Sequence, residues 1–453
     1  MADYYVDNTV PGTGTLIDPW DDIATNINTL IAGDTMHVRG DALPLSRVHT
    51  ESISITVDGA DGSPITLIPF AGEGVTLKSA AWSDIIDITG DWIVIDGFEL
   101  DKDGVGNYMI DIFGDHDTVK DCELYEFWDT AIRISSDYAE VDTCIIRDGF
   151  KANNDDSLGI TINTGLHTHI HDCTIYDVAG DCIQVWNGGG DVGGTIIEDC
   201  ELYTTLANCS ENAIDIKKGH ASHQSIIRRN VMHGFRYCDA TCGGSGGGIG
   251  EAVIVHLDAQ NMLICDNVIY NCASGIRVSA SDTDLYRNEI YDLVFDGATW
   301  GNIAIFIYSC SNVNIWNNTL DDCHLADGQY SIVIDGTTAG IVVQNNILND
   351  CGDVDGTPDT CDHNCWFNVV SSWVGAGDVN ADPLFTNEAG NIFTLQAASP
   401  CIDAGVDVGL PYQGTAPDDG AHEYEYVPPA VTVYAASALA VDSPCSRIAG
   451  RRQ

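Results

Sequence analysis

One short stretch, Glu211-Asn-Ala-Ile-Asp215-Ile-Lys217, brings two acids and an amine together in a single extended segment. Side chains of a strand alternate between its two faces. If Ile214 and Ile216 face an interior, Asp215 and Lys217 emerge side by side on the outside. Matching apolar positions in neighbouring segments puts Gln184 and Trp186 on the strand before. Ile254 and His256 fall on the strand after, then Arg277 and Ser279, then Phe306 and Tyr308. The outer face so built collects Lys217, Lys218, His256 and Arg277 beside Trp186, Phe306 and Tyr308, whose rings suit stacking on sugars.

Glu211 and Asp215 offer hard oxygen donors of the kind Ca²⁺ takes. Asn187 and Asp181 extend the set from the preceding strand, Glu251 and Asp258 from the following one. A bound Ca²⁺ would neutralise a uronate carboxylate and acidify the proton α to it. Lys217 is then the candidate base for the C5 proton. Arg277 would steady the carboxylate, and His256 would protonate the leaving oxygen. The plainer alternative is a solvated sheet face with an Asp215–Lys217 surface pair of little energetic weight.

The elements that must position these groups are announced by a repeat. Val119-Lys-Asp-Cys122-Glu-Leu124-Tyr, Ile170-His-Asp-Cys173-Thr-Ile175-Tyr, Ile197-Glu-Asp-Cys200-Glu-Leu202-Tyr, Ile264-Cys-Asp-Asn267-Val-Ile269-Tyr and Ile315-Trp-Asn-Asn318-Thr-Leu320 are versions of one phrase, recurring every 21 to 37 residues. Weaker copies surround Cys144, Asn230, Asn288 and Asn346. A unit this small cannot bury its own apolar face, so it must stack on its neighbours. The expected fold is all-β, a single-stranded parallel β-helix of about ten to thirteen rungs. It is right-handed by the general rule for parallel crossovers. Equivalent side chains then lie about 4.8 Å apart, so Cys122, Cys144, Cys173 and Cys200 form an internal column of small thiols. Asn230, Asn267, Asn288, Asn318 and Asn346 continue it as an asparagine ladder.

The chain divides into an N-terminal cap and first rung (1–50), the parallel β-helix (51–350), terminal rungs and a C-terminal cap (351–425), and a flexible tail (426–453). Residues 20–31 are expected to form a short amphipathic capping helix ended by Gly33, covering the open edge. The glycine-rich insertion at 234–250 reads as a loop beside the groove, and it lacks the Lys-Ser/Thr ending of a phosphate-binding loop. Cys361 and Cys365 are spaced for a local disulfide, and no Cys/His spacing points to a metal.

A formal charge of −50, from 68 acidic against 18 basic residues, argues against nucleic acid, whose binding needs a basic footprint. No apolar run reaches transmembrane length. No leader is visible at Met1. The expectation is an extracellular or virion-associated protein, a monomer, or a trimer if it is a phage tail component.

The rungs resemble those of the pectate-lyase-like right-handed parallel β-helix superfamily over roughly residues 20–400. Tyr4-Tyr-Val-Asp-Asn8 with Pro19-Trp20, and Ala381-Asp-Pro-Leu-Phe385 through Ser399-Pro-Cys-Ile-Asp-Ala-Gly405, are similar to the ends of secreted bacterial β-helix proteins. Glu211 to Lys217, followed by Ile227-Arg-Arg-Asn230, resembles the stretch of calcium-dependent alginate and chondroitin lyases where acidic ligands precede a lysine base. The resemblance implies Lys217 as base, Glu211 and Asp215 as metal ligands, and Asn187 as a further ligand. Asn212 and Ser210 stand where that family carries its glutamate pair, and Val255-His256-Leu257 lacks its arginine.

The favoured expectation is a lyase acting on a uronate-containing acidic polysaccharide. A uronate epimerase would share the proton abstraction. A glycoside hydrolase would need two carboxyl groups, for which Asp155 and Asp156 are the adjacent pair. A non-catalytic glycan-binding, adhesin or tail-fibre solenoid is the remaining alternative.

Overall fold

The computed structural model describes residues 1–79, 82–104, 106–149, 156–186, 188–205, 210–236, 250–294, 303–323, 330–369 and 371–425. Three long sheets wind through them. The chain passes from a first sheet to a second, then to a third, and returns one rung further on. The first sheet runs without interruption from Asp3–Val6 to Thr360–Asp362, fourteen strands among the described residues. Nearly every pairing in the three sheets is parallel; the exception is Asp41–Ala42, antiparallel to Glu73–Lys78.

One inward column shows why the sequence stacks this way. Ile110, Ile132, Ile160, Ile183, Ile214, Val253, Ile276, Ile305 and Ile332 are direct partners on successive strands of the third sheet. All are essentially inaccessible to solvent. β-Branched chains fit a pleated surface covered on one side. Each buried one contributes about 1.5–3 kcal/mol relative to exposure.

The turn from first to second sheet holds the polar column. Asn230, Asn267, Asn288, Asn318, Asn346 and Asn364 are all buried. The Nδ2 of each of the first five donates to the Oδ1 of the next at 2.9–3.1 Å. Each also donates to a carbonyl one rung back, as Asn230 does to Ile197 at 3.0 Å. Cys144 and Cys173 occupy the same place, with Sγ 3.6 Å from the Val119 and Val141 carbonyls. The columns join where the Cys200 N–H donates to Asn230 Oδ1 at 3.1 Å. Asp199 and Arg229, just ahead of Cys200 and Asn230, take left-handed backbone with φ of 56° and 55°, which turns the chain sharply enough to aim the next side chain inward.

Two details differ from expectation. The capping helix over 20–31 does not form; only the 3-10 turn Ile27–Thr29 is helical. Asn26 and Thr29 compete for the backbone instead, Asn26 Nδ2 donating to the Asp22 carbonyl at 3.0 Å and Thr29 Oγ1 to the Asn26 carbonyl at 2.7 Å, and Asn and Thr side chains favour such turns over helix. Ile23, Ile27 and Leu30 still bury themselves over the first rung. Cys361 and Cys365 are both free thiols, on successive strands of different sheets. At the other end, the antiparallel pair Phe385–Asn387 and Ile392–Leu395 packs Phe393 against Tyr291. Residues 401–425 fold back, with the Ala421 N–H donating to Thr319 Oγ1. The expected tail at 426–453 and most of the glycine-rich insertion lie outside the described residues.

Candidate functional site

The strands Ile183–Val185, Ile214–Ile216, Glu251–Val255, Ser274–Val278 and Ile305–Tyr308 lie side by side in the third sheet. Their register sets Gln184, Asp215, Ile254, Arg277 and Phe306 in one outward column. Trp186, Lys217, His256, Ser279 and Tyr308 form the next. Its backbone continues the ladder, the N–H groups of Lys217, His256 and Ser279 each donating to the preceding strand.

Asp215 is the centre of this face. Alternation turns it outward, yet it is only 4% exposed. Lys217 Nζ lies 3.2 Å from its Oδ2, and His256 Nε2 lies 2.9 Å from its Oδ1. The imidazole contact is not aligned as a hydrogen bond, so both facing atoms lack a hydrogen-bond partner. The expectation that Asp215 meets solvent is therefore corrected: its neighbours on two rungs cover it. Lys217 also sits 5.0 Å from the centroid of the Trp186 ring, an attractive cation–π arrangement.

Arg277 lies one rung beyond His256, with its guanidinium 3.2 Å from Glu251 Oε2. Burial pushes the Glu251 carboxyl up to about 7, against the opposing pull of Arg277. Asp181 is buried behind the face, accepting from Gln184 Nε2 at 2.7 Å and Asn212 Nδ2 at 2.8 Å. Burial raises its affinity for a proton, and the charges of Asp215 and Glu211 add to that effect. Glu211 is shifted upward as well, by burial and then by Asp156 and Asp215.

Phe306 and Tyr308 flank the far side, their rings 5.9 Å apart. With Glu251, His256, Arg277 and Asp335 they line a cavity of about 540 Å³. A second cavity of about 480 Å³ opens on the other side of the Lys217 rung, lined by Tyr108, Arg133, Asp156, Gln184 and Trp186 among others. Arg133 lies over the Tyr108 ring at 3.8 Å and is paired with Asp111. The strand alternation carries Arg133 in the same outward column as Asp215, so its place was readable from the repeat.

The structure thus gathers Trp186, Asp215, Lys217, His256, Arg277, Phe306 and Tyr308 on one face, with Glu211 half-buried beside them. Lys218 is directed elsewhere, to the Gly190 carbonyl in the preceding loop. Asp258 is exposed in a turn. Asn187, Asn153, Asn154 and Asp155 lie outside the described residues.

The face is rich in oxygen donors, although among the described residues no three of their ligand atoms lie within 4.8 Å of one another. Five carboxyl groups, Asp156, Asp181, Glu211, Asp215 and Glu251, stand against the three bases Lys217, His256 and Arg277. Asp215 Oδ1 and Glu251 Oε2 are buried without a hydrogen-bond donor. Glu211 and Asp215 are the groups that would hold Ca²⁺.

A family model described as the right-handed β-helix region matches residues 158–348. The fold is a right-handed parallel β-helix. No curated protein matches the chain in sequence. Among solved structures, the chain is similar to the PL6 family alginate lyase AlyGC at 14% identity and a TM-score of 0.60, over 83% of this chain and 54% of that one. It is similar to the PL6 family polysaccharide lyase Pedsa3628 from Pseudopedobacter saltans at 13% identity and a TM-score of 0.53, over 72% of this chain and 82% of that one. It is also similar to the GH136 lacto-N-biosidase from Eubacterium ramulus at 11% identity and a TM-score of 0.50, over 76% and 68% of the two chains. At such identities the likeness is one of fold, and function rests on the site.

Proposed function

We propose that this protein is a polysaccharide lyase that cleaves a uronate-containing acidic glycan by β-elimination. The observation that carries the reading is the convergence of Lys217 and His256 on the buried Asp215 carboxylate, between aromatic side chains on an open face. Two cavities flank that rung along the sheet, as an extended polymer requires.

In this mechanism the sugar rings stack on Trp186, Phe306 and Tyr308. Lys217, in its neutral form, takes the C5 proton, and the electron pair forms the C4–C5 double bond. The C4–oxygen bond breaks, and the leaving oxygen receives a proton from the His256 imidazolium. Arg277 faces the uronate carboxylate, and Asp215 orients Lys217 and His256. Ca²⁺, when bound by Glu211 and Asp215, would supply positive charge against the carboxylate as the α-proton leaves. Among the described residues no helix is long and apolar enough to cross a membrane.

A second reading follows from Glu251. A carboxyl pushed up to about 7 is still partly protonated at neutrality, as the general acid of a glycoside hydrolase must be. A panel of alginate, pectate and glycosaminoglycans, with and without Ca²⁺, separates the readings. Unsaturated, ultraviolet-absorbing ends support elimination. New reducing ends without that absorbance support hydrolysis, and tight binding with neither product supports a glycan-binding solenoid.

A further inference from the structure

A different chemistry is assembled on the first sheet. Its strand His169–His171 carries His169-Ile170-His171, with Ile170 buried and the two imidazoles on the outer face. The preceding strand Glu140–Asp142 pairs in register, Glu140 opposite His169 and Asp142 opposite His171. One candidate ligand atom from each of Glu140, His169 and His171 lies within 4.8 Å of the others. We propose that these three residues form a binding site for a divalent transition-metal ion of the zinc class.

The outer contacts suit that role. Glu198, one rung on, sets Oε1 2.8 Å from His169 Nε2, which leaves His169 Nδ1 for an ion. Glu198 is itself held by Arg228 and Arg229. Asp172 Oδ2 lies 2.8 Å from His171 Nδ1, leaving Nε2, which faces Glu140 Oε1 at 3.2 Å. The other Glu140 oxygen accepts from Thr118 Oγ1 at 3.2 Å. Each ligand thus has its own partner, the arrangement by which metal sites fix tautomer and ring orientation.

Two imidazoles and one carboxylate select zinc-like ions over Ca²⁺, which prefers an all-oxygen shell. Three protein ligands leave a fourth position to water. His169 and His171 are partly exposed, with side chains 33% and 17% accessible, so an ion reaches them from solvent. The site is separate from the Lys217 face, on another sheet and of another ligand class. Spacing in the sequence alone hides it, because the third ligand comes from the neighbouring rung.

The test uses the full chain after chelator treatment, in excess Ca²⁺ to saturate surface carboxylates. Zn²⁺ is titrated by calorimetry, and Co²⁺ by its visible absorption. The expected result is one ion per chain with a Kd of about 1 μM or tighter. His171→Ala should abolish this binding, and Asp172→Asn should weaken it roughly 10- to 100-fold. Lys217→Ala should leave it unchanged. Circular dichroism confirms that each variant is folded. No saturable binding by the unaltered chain, or binding that persists in His171→Ala, overturns the proposal.

Discussion

Lys217 holds its Nζ 3.2 Å from the carboxylate of Asp215, which is almost fully buried while the lysine remains open to the groove. The acid is therefore fixed by the fold and the base is presented by it. Replacing Lys217 with Ala removes the group proposed to take the proton together with one of the two partners of the buried Asp215 carboxylate. The elimination rate on the preferred glycan should fall roughly 10²- to 10⁴-fold. The unfolding free energy should fall as well, by up to about 3 kcal/mol, because a buried carboxylate loses one of its two partners. A full rate in Lys217→Ala would remove this residue from the mechanism.

Asp215→Asn leaves both Lys217 and His256 without their shared anion. Both side chains are partly exposed, and water screens them, so the stability cost should be about 1 kcal/mol or less. Activity should suffer more, by about 100-fold, because the reacting groups lose their positioning. Parallel melting curves and rate measurements check the two effects separately.

Asp117 gives a stability test away from the groove. Its Oδ1 accepts from the Ile93 N–H at 2.8 Å, and its Oδ2 is buried without a partner. Burial, reinforced by Asp91, Asp115 and Asp58, pushes its carboxyl from 3.8 up to about 8. The folded state thus binds this proton more tightly than the unfolded chain does. Its contribution is complete below about pH 4 and is lost as pH rises towards 8. Asp117→Asn should flatten the pH dependence of stability across that window relative to the unaltered chain. Denaturation midpoints at several pH values give the comparison, and identical slopes for the two proteins would refute the assignment.

In the ladder, Asn288 donates to Ile264 O and to Asn318 Oδ1, and accepts from the backbone and side chain of Asn267. Asn288→Ala strips partners from several buried polar groups at once. At about 1–3 kcal/mol for each group left unsatisfied, the loss should total at least about 3 kcal/mol. A chemical denaturation series measures it.

Much of this architecture was legible in the chain. The position shared by Cys122, Cys144, Cys173, Cys200 and the later asparagines marks one turn of every rung, and alternation from there placed Gln184, Asp215, Ile254, Arg277 and Phe306 in a single column. Periodicity tells which way a side chain leaves the strand. It does not tell what lies over it, so the burial of Asp215 beneath Lys217 and His256 was not visible. The upward shift of Glu251 likewise follows from burial that periodicity does not reveal. The capping segment departs from a helix for a local reason: apolar spacing at Ile23, Ile27 and Leu30 fits a helix, but the Asn26 and Thr29 side chains take backbone carbonyls that a helix would use.

The exchange of thiols for amides along the internal column has a mechanical consequence. Beyond Asn230 the rungs are tied by an unbroken chain of amide hydrogen bonds, whereas Cys122 to Cys200 contribute only weak sulfur contacts. The expected consequence is a solenoid more compliant on its amino-terminal side than on the other. Hydrogen exchange should show earlier opening at Cys144 and Cys173 than at Asn288 and Asn318. Asp215 lies on the stretch of chain between Cys200 and Asn230, so the groove straddles the seam between the two regimes. Flexing there would widen or narrow the gap between its flanking cavities while each half kept its own shape.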